Sequence, residues 1–195
     1  MIAAAKISYL QEQIARYDDK FAYKELFVSF YNPLLKFALT MVSREQAEEI
    51  VSDVFVHIWE KRKRIDSISN LKVYLYKAVK NTALNYIAKQ NRNSTTGMEE
   101  VGIELQSIYF NPEQLLITAE MLKRIKLAVD QLPPQCKLVF KLVKEDELKY
   151  REVAEILGIS VKTVENQVTI ALRKIGNSIH FDIKKAISSS SGPSS

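Results

Sequence analysis

Six polar side chains recur on one face of a predicted helix near the end of the chain, and their chemical types suit contact with nucleic acid. They are Lys162, Thr163, Glu165, Asn166, Thr169 and Arg173. Cations bind phosphates, whereas carboxamide, hydroxyl and carboxylate groups hydrogen-bond the edges of base pairs in a major groove. An ordinary αα-hairpin with a solvated outer face would show the same residue types, so two interpretations are open at this point.

The surrounding sequence predicts two short helices joined by a tight turn. Val153, Ala154 and Leu157 recur at helical spacing, and Gly158 then permits a sharp turn. Ser160 is placed to cap the second helix. The predicted buried stripe of that helix consists of Val161, Val164, Val168, Ala171, Leu172 and Ile175. This helix-turn-helix pattern favours binding to double-stranded DNA over an inert hairpin.

A second polar group lies on a helix predicted over residues 70–89. Its candidate binding residues are Tyr74, Tyr76, Lys77, Lys80, Asn81 and Asn85. The side chains predicted to face inward are Leu71, Leu75, Ala78, Val79, Thr82 and Tyr86. Cations attract phosphate, carboxamides bond base edges and tyrosines stack on unpaired bases, so the group has the chemistry of a single-strand binding surface. A solvated amphipathic helix with two half-buried tyrosines is the alternative.

Charge is unevenly distributed over the 195 residues, whose net charge is +5. Residues 43–60 carry one basic and five acidic groups, whereas residues 61–92 carry nine basic groups and one acidic group. An acidic helix next to a strongly basic segment predicts two different partners, of which the second is nucleic acid. The basic run 61–64, taken by itself, is also consistent with a solvated turn.

Composition and spacing argue against several other classes of protein. No apolar run approaches the roughly 18 residues of a membrane span, and the first ten residues lack the basic start of a secretory signal. Cys136 is the single cysteine, which excludes an internal disulfide and predicts a reducing cytoplasm. His57 and His180 lie in different halves, and the sequence has no phosphate loop, paired-carboxylate motif or metal-ligand spacing. We therefore expect no enzyme activity, cofactor, metal or small-molecule substrate.

The order of these segments predicts an all-α protein in which a flexible acidic linker joins two small helical domains. The N-terminal domain is predicted over residues 1–92, the linker over 93–112, the helix-turn-helix domain over 113–185 and a disordered tail over 186–195. Other helices are predicted over residues 21–42, 45–60, 113–130 and 135–147. Within the first of these, Asn32-Pro33 marks either a kink or a boundary.

Four segments, in this order and spacing, resemble bacterial RNA polymerase sigma factors of the minimal extracytoplasmic-function (ECF) type. They are DVFVHIWEKRKRI (53–65), YLYKAVKNTALNYI (74–87), LPPQCKLVFKL (132–142) and YREVAEILGISVKTVENQV (150–168). The resemblance covers roughly residues 20–178, and its last two segments look most like members from Bacteroidetes-type bacteria. It implies a promoter-specificity subunit that has no catalysis of its own and works in the cytoplasm.

The resemblance implies one surface for polymerase and one for the opened promoter. The helix with Asp53, Phe55, Ile58 and Trp59 corresponds to the one that docks on the clamp helices of the largest polymerase subunit. Phe55, Ile58 and Trp59 can equally serve the protein core. The helix over 70–89 corresponds to the one that melts the minus-ten element, with its two tyrosines stacking at the melted edge and its lysines and asparagines binding backbone or bases. The loop 67–70 would help to receive a flipped base.

The remaining segments have implied partners as well. The helix-turn-helix would read the duplex minus-thirty-five element and face the polymerase flap, while the acidic linker would thread toward the RNA channel. The family further implies a dedicated anti-sigma protein, often anchored in the inner membrane. Many relatives have Trp at the position of Tyr74 and Arg at that of Glu165, so the minus-thirty-five sequence does not carry over.

The main alternative is a stand-alone helix-turn-helix regulator that binds a palindrome as a dimer. It explains residues 150–175 but not the DVFVHIW and YLYKAVKN segments, and the sequence has no heptad seam for a dimer. An all-helical scaffold without a nucleic-acid partner is a further alternative, against which the basic segment 61–92 argues.

Overall fold

The computed structural model describes residues 3–93 and 119–190, with side chains placed over 3–90 and 123–177. The chain divides into two compact units, one formed mainly by residues up to 105 and the other mainly by those that follow. Every regular element in the described ranges is helical, which confirms the predicted all-α class. No helix in those ranges has the length and apolarity needed to cross a membrane. All but the first residue of the predicted acidic linker lies outside the described residues.

In the described part of the N-terminal unit, four α-helices and one 3₁₀ segment follow one another. They are α1 (Ala4–Tyr17), α2 (Lys20–Ala38), α3 (Arg44–Glu60), the 3₁₀ segment (Arg62–Ser67) and α4 (Leu71–Asn93). Helix α2 packs against α1, α3 and α4, while α1 also packs against the 3₁₀ segment. Helix α2 runs through Pro33, so the boundary that the sequence allowed there is absent.

Aromatic side chains dominate the core of the N-terminal unit. Phe30, Phe37, Phe55 and Tyr76 are all buried. The rings of Phe37 on α2 and Tyr76 on α4 lie 5.2 Å apart, and those of Phe27 on α2 and Phe55 on α3 lie 4.7 Å apart. Such pairs contribute about 0.5–1.5 kcal/mol each beyond their buried area. Since α2 is joined to α3 and to α4 in this way, the two helices that carry the candidate residues are held in a fixed relation.

Side chains also define where these helices begin. The Asp19 carboxylate accepts hydrogen bonds from the N–H groups of Phe21 at 2.8 Å and Ala22 at 3.1 Å, so it caps α2. Before α3, the Ser43 N–H donates to Gln46 Oε1 at 3.2 Å. Each contact satisfies a backbone donor that the first turn of a helix leaves without a partner.

Helix α1 was not predicted from the sequence, although its pattern is visible there. Ile7, Leu10 and Ile14 follow helical spacing and are buried. Gln11 interrupts the apolar stripe, yet it is buried as well. A polar residue at an inward-facing position breaks the apolar periodicity by which the helix would be predicted. Its burial depends on hydrogen-bond partners elsewhere in the chain, which the local sequence does not show.

The described part of the C-terminal unit contains α5 (Ala119–Asp130), α6 (Pro134–Lys144), most of α7 (Tyr150–Leu157) and α8 (Val161–Ser190). Helices α5 and α6 both pack along α8. Their shared buried cluster comprises Ile125, Ala128, Val129, Leu132, Cys136, Phe140, Ala171 and Ile175. Burial raises the pKa of the Cys136 thiol, which donates to the Gln167 carbonyl oxygen at 3.2 Å. Helix α6 begins at Pro134, one residue before its predicted start, and proline suits this first position because the N–H that it lacks would have no partner there.

Helix α8 extends further than the sequence predicted. Residues 186–190 are helical and belong to α8, whereas a disordered tail was expected from residue 186. No glycine or proline follows Gly176 until Gly192, so nothing in the local sequence stops helix propagation before the serines. Residues 191–195 lie outside the described part of the chain.

Candidate nucleic-acid interface

The turn between α7 and α8 has the geometry that its sequence predicted. Gly158 ends α7 in the left-handed region with φ 70°, and its N–H donates to the Ala154 carbonyl oxygen at 2.9 Å. Ser160 Oγ then accepts from the Thr163 N–H at 3.0 Å and caps α8. At the other end of α7, the Glu152 carboxylate accepts from the N–H of Lys149 at 2.8 Å, which defines the start of this helix.

The buried stripe of α8 is narrower than predicted. Val164, Val168, Ala171 and Ile175 are buried, but Leu172 is 51% exposed and Val161 is 38% exposed. Leu172 lies about 100° around the helix from Ala171, which places it at the flank of the stripe. Val161 begins the helix, where fewer neighbours surround a side chain. The prediction was therefore wrong for these two residues.

The opposite face of α8 carries the six predicted polar residues. Lys162, Asn166, Thr169 and Arg173 are exposed, while Thr163 and Glu165 are half-buried. Three of these side chains are already engaged within the helix. Lys162 Nζ lies 3.1 Å from Glu165 Oε2, and the Thr169 hydroxyl donates to the Glu165 carbonyl oxygen at 2.8 Å. Glu165 therefore offsets a cation on the surface that would face DNA phosphates.

The candidate residues of α4 divide into three groups by their exposure in the structure. Tyr74, Asn81 and Asn85 are exposed, whereas Lys77 and Lys80 are half-buried. Tyr76 is fully buried, with no exposed side-chain surface, and its ring packs on Phe37. The prediction that Tyr76 stacks on an unpaired base is therefore wrong, because its ring faces the core while that of Tyr74, two residues earlier, faces outward.

A groove of about 380 Å³ separates α3 from α4 and collects several of the candidate residues. From α4 it is lined by Tyr74, Ala78, Asn81, Thr82 and Asn85, and from α3 by Asp53, Val54 and His57. The α4 side contributes one aromatic ring, two carboxamides and one hydroxyl group. Sequence reasoning assigned Asp53 to another partner and left His57 without a role. Their i, i+4 spacing shows that they share a helix face, but only the packing of α3 on α4 reveals that this face borders the groove.

The loop before α4 lies next to this groove in the chain. Ser67, Ser69 and Asn70 are exposed, and Ile65 just before them is buried. Asn70 Oδ1 accepts from the Val73 N–H at 3.1 Å and so caps α4. The backbone of the loop is thereby fixed to the first turn of the helix that carries the exposed tyrosine.

The outer face of α3 contains only part of the predicted polymerase contact. Asp53 is exposed, but Phe55 and Ile58 are 2% and 3% exposed. These two apolar side chains belong to the core, so their predicted contact with a partner is wrong. Val56, between them, is 56% exposed and was not predicted. It lies off the apolar stripe of α3, which is the signal that could have identified it.

Trp59 is half-buried between a ring and a cation. Its ring centroid lies 4.8 Å from that of Tyr23, and the guanidinium carbon of Arg62 lies 4.6 Å from it. The Tyr23 hydroxyl donates to the Phe55 carbonyl oxygen at 2.7 Å, and burial raises the pKa of Tyr23. Part of Trp59 therefore packs in the protein and another part stays accessible, and its contact with polymerase stays a prediction.

Arg62 also connects this region to α1. Its guanidinium and the Lys63 ammonium group both pair with the Asp18 carboxylate. Hydrogen bonds from Lys63 and Arg62 hold the pKa of Asp18 below its ordinary value of 3.8.

The residues that the structure describes contain no cluster of three His, Cys, Asp or Glu side chains able to hold a metal ion.

Comparison with known protein families gives two separate matches. The family described as Sigma-70 region 2 matches residues 26–93, and that described as Sigma-70, region 4 matches residues 122–175. The first covers α3, the 3₁₀ segment and α4, and the second covers the helix-turn-helix. Helix α1 lies outside both matches.

Curated relatives span nearly the whole chain. The ECF RNA polymerase sigma-E factor of Escherichia coli K12 is 25% identical over 184 residues, covering 90% of this chain and 95% of the relative. The protein of the same name from Haemophilus influenzae is 26% identical over 169 residues, covering 83% of this chain and 89% of the relative.

Two solved structures share the fold. One is the sigma factor RpoE from Bartonella quintana in complex with the anti-sigma factor NepR, with a TM-score of 0.53 and 23% identity over 82% of this chain and 98% of that one. The other is CnrH in complex with the cytosolic domain of CnrY, with a TM-score of 0.53 and 18% identity over 91% of this chain and 99% of that one.

Proposed function

The chain belongs to the sigma-70 family and is an ECF-type sigma factor, and on this premise we propose how its surfaces divide the work of promoter opening. Regions 2 and 4 together span more than half of the sequence, and the sigma-E relative from Escherichia coli matches 90% of it. A stand-alone helix-turn-helix regulator would account for region 4 alone. The function is therefore to bind core RNA polymerase and direct it to specific promoters.

We assign the minus-ten element to the surface of α4. Tyr74 is exposed, and it lines the α3–α4 groove together with Asn81 and Asn85. An aromatic ring can stack on an unpaired base, which contributes about 1–3 kcal/mol, and carboxamides can bond the exposed base edges. Lys77 and Lys80 flank this row and supply charge for the phosphate backbone. The exposed loop 67–70 receives the flipped base in this proposal.

We assign the minus-thirty-five element to the exposed face of α8. An α-helix fits the major groove of duplex DNA, and its first turns commonly contact base edges. Asn166 and Arg173 are exposed on this face, and Lys162, Thr163, Glu165 and Thr169 complete it. Asn166 has the geometry for bidentate contact with adenine and Arg173 for guanine or phosphate, while Glu165 disfavours close approach of phosphate.

We assign polymerase docking to the accessible side chains of α3, on Asp53, which also lines the α3–α4 groove, on Val56 and on Trp59. The first two are exposed and the third is half-buried, which suits a partner that covers one acidic and two apolar side chains. The acidic composition of residues 43–60 favours a basic partner surface. In this proposal region 4 also contacts the polymerase flap, and the acidic linker threads toward the RNA channel.

An anti-sigma protein is a further proposed partner. Two structures that share this fold are complexes with such proteins, NepR and the cytosolic domain of CnrY. Membrane anchoring of that partner, a cytoplasmic location for the chain itself and its likeness to Bacteroidetes members stay predictions from the sequence.

The observation that carries this proposal is the pairing of region 2, with its grooved polar surface, and region 4, with its exposed polar helix, in one chain. The test is reconstitution of the purified chain with sigma-free core polymerase and genomic DNA, followed by sequencing of transcript starts. We expect new starts that share one motif near minus ten and another near minus thirty-five. Failure to bind core polymerase, or binding without any new start, would contradict the proposal.

A further inference from the structure

Gln11 of α1 is a polar side chain buried inside the N-terminal unit, with only 5% of its surface exposed. Its Nε2 donates to the carbonyl oxygens of Ile65 at 2.6 Å and Ile68 at 2.9 Å. Because carbonyl groups only accept hydrogen bonds, the nitrogen and not the oxygen of this amide must face them. A buried amide without partners would be costly, so these two bonds determine where α1 meets the 3₁₀ segment.

The two acceptors bracket the end of the 3₁₀ segment, where the loop 67–70 begins. The Ile68 N–H donates back to the Ile65 carbonyl oxygen at 3.2 Å, and the Ser67 hydroxyl donates to the Arg64 carbonyl oxygen at 2.7 Å. Gln11 thus donates to a turn whose residues already hydrogen-bond one another. Its two bonds therefore fix the position of the whole turn rather than that of a single residue.

The constraint extends from this turn to the α4 surface. Asn70, two residues after Ile68, caps α4 through the Val73 N–H, and its carbonyl oxygen accepts from the Tyr74 N–H at 3.0 Å. Two hydrogen bonds from α1, two residues of backbone and two hydrogen bonds at Asn70 therefore connect Gln11 to the residue that carries the exposed ring. None of the side chains that line the α3–α4 groove comes from α1.

We propose that Gln11 is a positioning residue for capture of the opened strand: its two hydrogen bonds set the loop 67–70 and Tyr74 in the geometry that receives an unpaired base. The inference rests on the proposed function of the α4 surface. It goes beyond that function because α1 lies outside the matched region 26–93 and contributes no side chain to the α3–α4 groove. Gln11 acts through the turn that it holds.

The test compares Gln11→Met with Gln13→Met in holoenzyme reconstituted with core polymerase. Methionine keeps the length of the side chain and removes both donors at residue 11. Residue 13 lies about 200° around α1 from residue 11, so the same substitution there leaves the 3₁₀ segment untouched. The probe is a single-stranded oligonucleotide with the non-template minus-ten sequence obtained from transcript starts. We expect Gln11→Met to weaken its binding about tenfold, the value of one to two hydrogen bonds, with unchanged affinity for core polymerase.

Gln11→Asn supplies a second variant, because it keeps both donors but is one methylene too short to reach both carbonyls. We expect its oligonucleotide affinity to fall between those of the native chain and Gln11→Met. Parallel losses of strand binding, polymerase affinity and thermal stability in both variants would show a purely structural role and overturn the inference. Unchanged strand binding in Gln11→Met would also overturn it.

Tyr74→Ala separates this inference from its premise. If Tyr74→Ala weakens oligonucleotide binding and Gln11→Met does not, the positioning role is wrong and the α4 surface keeps its proposed function. If Tyr74→Ala leaves binding unchanged, the proposed function of that surface is wrong as well.

Discussion

The candidate surfaces of α4 and α8 use similar residue types in different surroundings. On α4 the exposed tyrosine and carboxamides border a groove whose other wall is α3, and they stand over an aromatic core. On α8 the polar residues occupy one exposed helix face, and three of them bond within the helix. A groove can enclose an extruded base, whereas an exposed helix can enter the major groove of an intact duplex. In our proposal the same asparagine side chain therefore serves different recognition on the two helices because of what surrounds it.

The largest expected effect comes from α3, where neighbouring apolar residues have opposite environments. Phe55→Ala should lower the free energy of unfolding of the N-terminal unit by about 3–5 kcal/mol, because it leaves a cavity in the aromatic core. Val56→Ala, on the exposed side, should change stability by less than about 0.5 kcal/mol and weaken binding to core polymerase instead. Thermal unfolding and a polymerase binding titration measure the two effects. Equal destabilisation by both variants would contradict this division of α3.

The next largest effect concerns the two tyrosines of α4. Tyr74→Ala should cost about 1–3 kcal/mol in binding of the opened minus-ten strand, because one stacking ring is lost. Its thermal stability should stay close to that of the native chain, since the ring is exposed. Tyr76→Ala should instead unfold the N-terminal unit at lower temperature. Normal strand binding by Tyr74→Ala would contradict the stacking role of Tyr74. Weaker strand binding by Tyr76→Ala, without a loss of stability, would contradict the assignment of Tyr76 to the core.

A smaller effect is expected for the acidic residue of the α8 surface. Glu165→Gln should free Lys162 for a phosphate and steepen the salt dependence of duplex binding by up to about 0.9 in the log–log slope. Lys162→Gln should make the slope shallower by a similar amount. Fluorescence anisotropy of holoenzyme binding to a labelled upstream duplex, measured at several salt concentrations, reports both. Identical slopes in the two variants would show that this pair does not face the phosphates.

The smallest effect concerns the ion pairs that connect α1 to the 3₁₀ segment. The pKa of Asp18 is lowered in the folded protein, so its stabilisation is complete above the unfolded-state pKa and is lost as the pH falls through the folded value. Thermal stability should therefore decline below about pH 4 in part through this group. Asp18→Asn should flatten that decline, while Glu49→Gln, an exposed charge on α3, should leave it unchanged. An unaltered acid limb in Asp18→Asn would contradict the role of these pairs.

Local sequence patterns predicted the helices and turns that carry the two surfaces better than they predicted which side chains of those helices are buried in the core. Gly158 and Ser160 define the turn and the cap of α8 through their own backbone and hydroxyl chemistry, so those predictions were confirmed. The environment of Tyr76 depends on Phe37, which is 39 positions away in sequence, and no local pattern contains that contact. For the same reason Phe55 and Ile58 could be read either as core or as partner contacts until α3 was placed against α2.

The α3–α4 groove and the role of α1 were also beyond local patterns. His57 and Asn85 line the same groove only because two helices pack side by side. Gln11 is buried where the carbonyl groups of Ile65 and Ile68 accept its two donors. Periodicity describes which side chains of one helix share a face, whereas such contacts are set by the tertiary arrangement.

The most direct test of the division of labour compares Asn81→Ala with Asn166→Ala, the same chemical change on the two helices. Permanganate reactivity of minus-ten thymines is measured at a mapped promoter with increasing holoenzyme. We predict that Asn166→Ala regains full reactivity at high holoenzyme concentration, because only duplex binding is weakened. Asn81→Ala should stay deficient even when the promoter is fully occupied. The same concentration dependence in both variants would contradict the account.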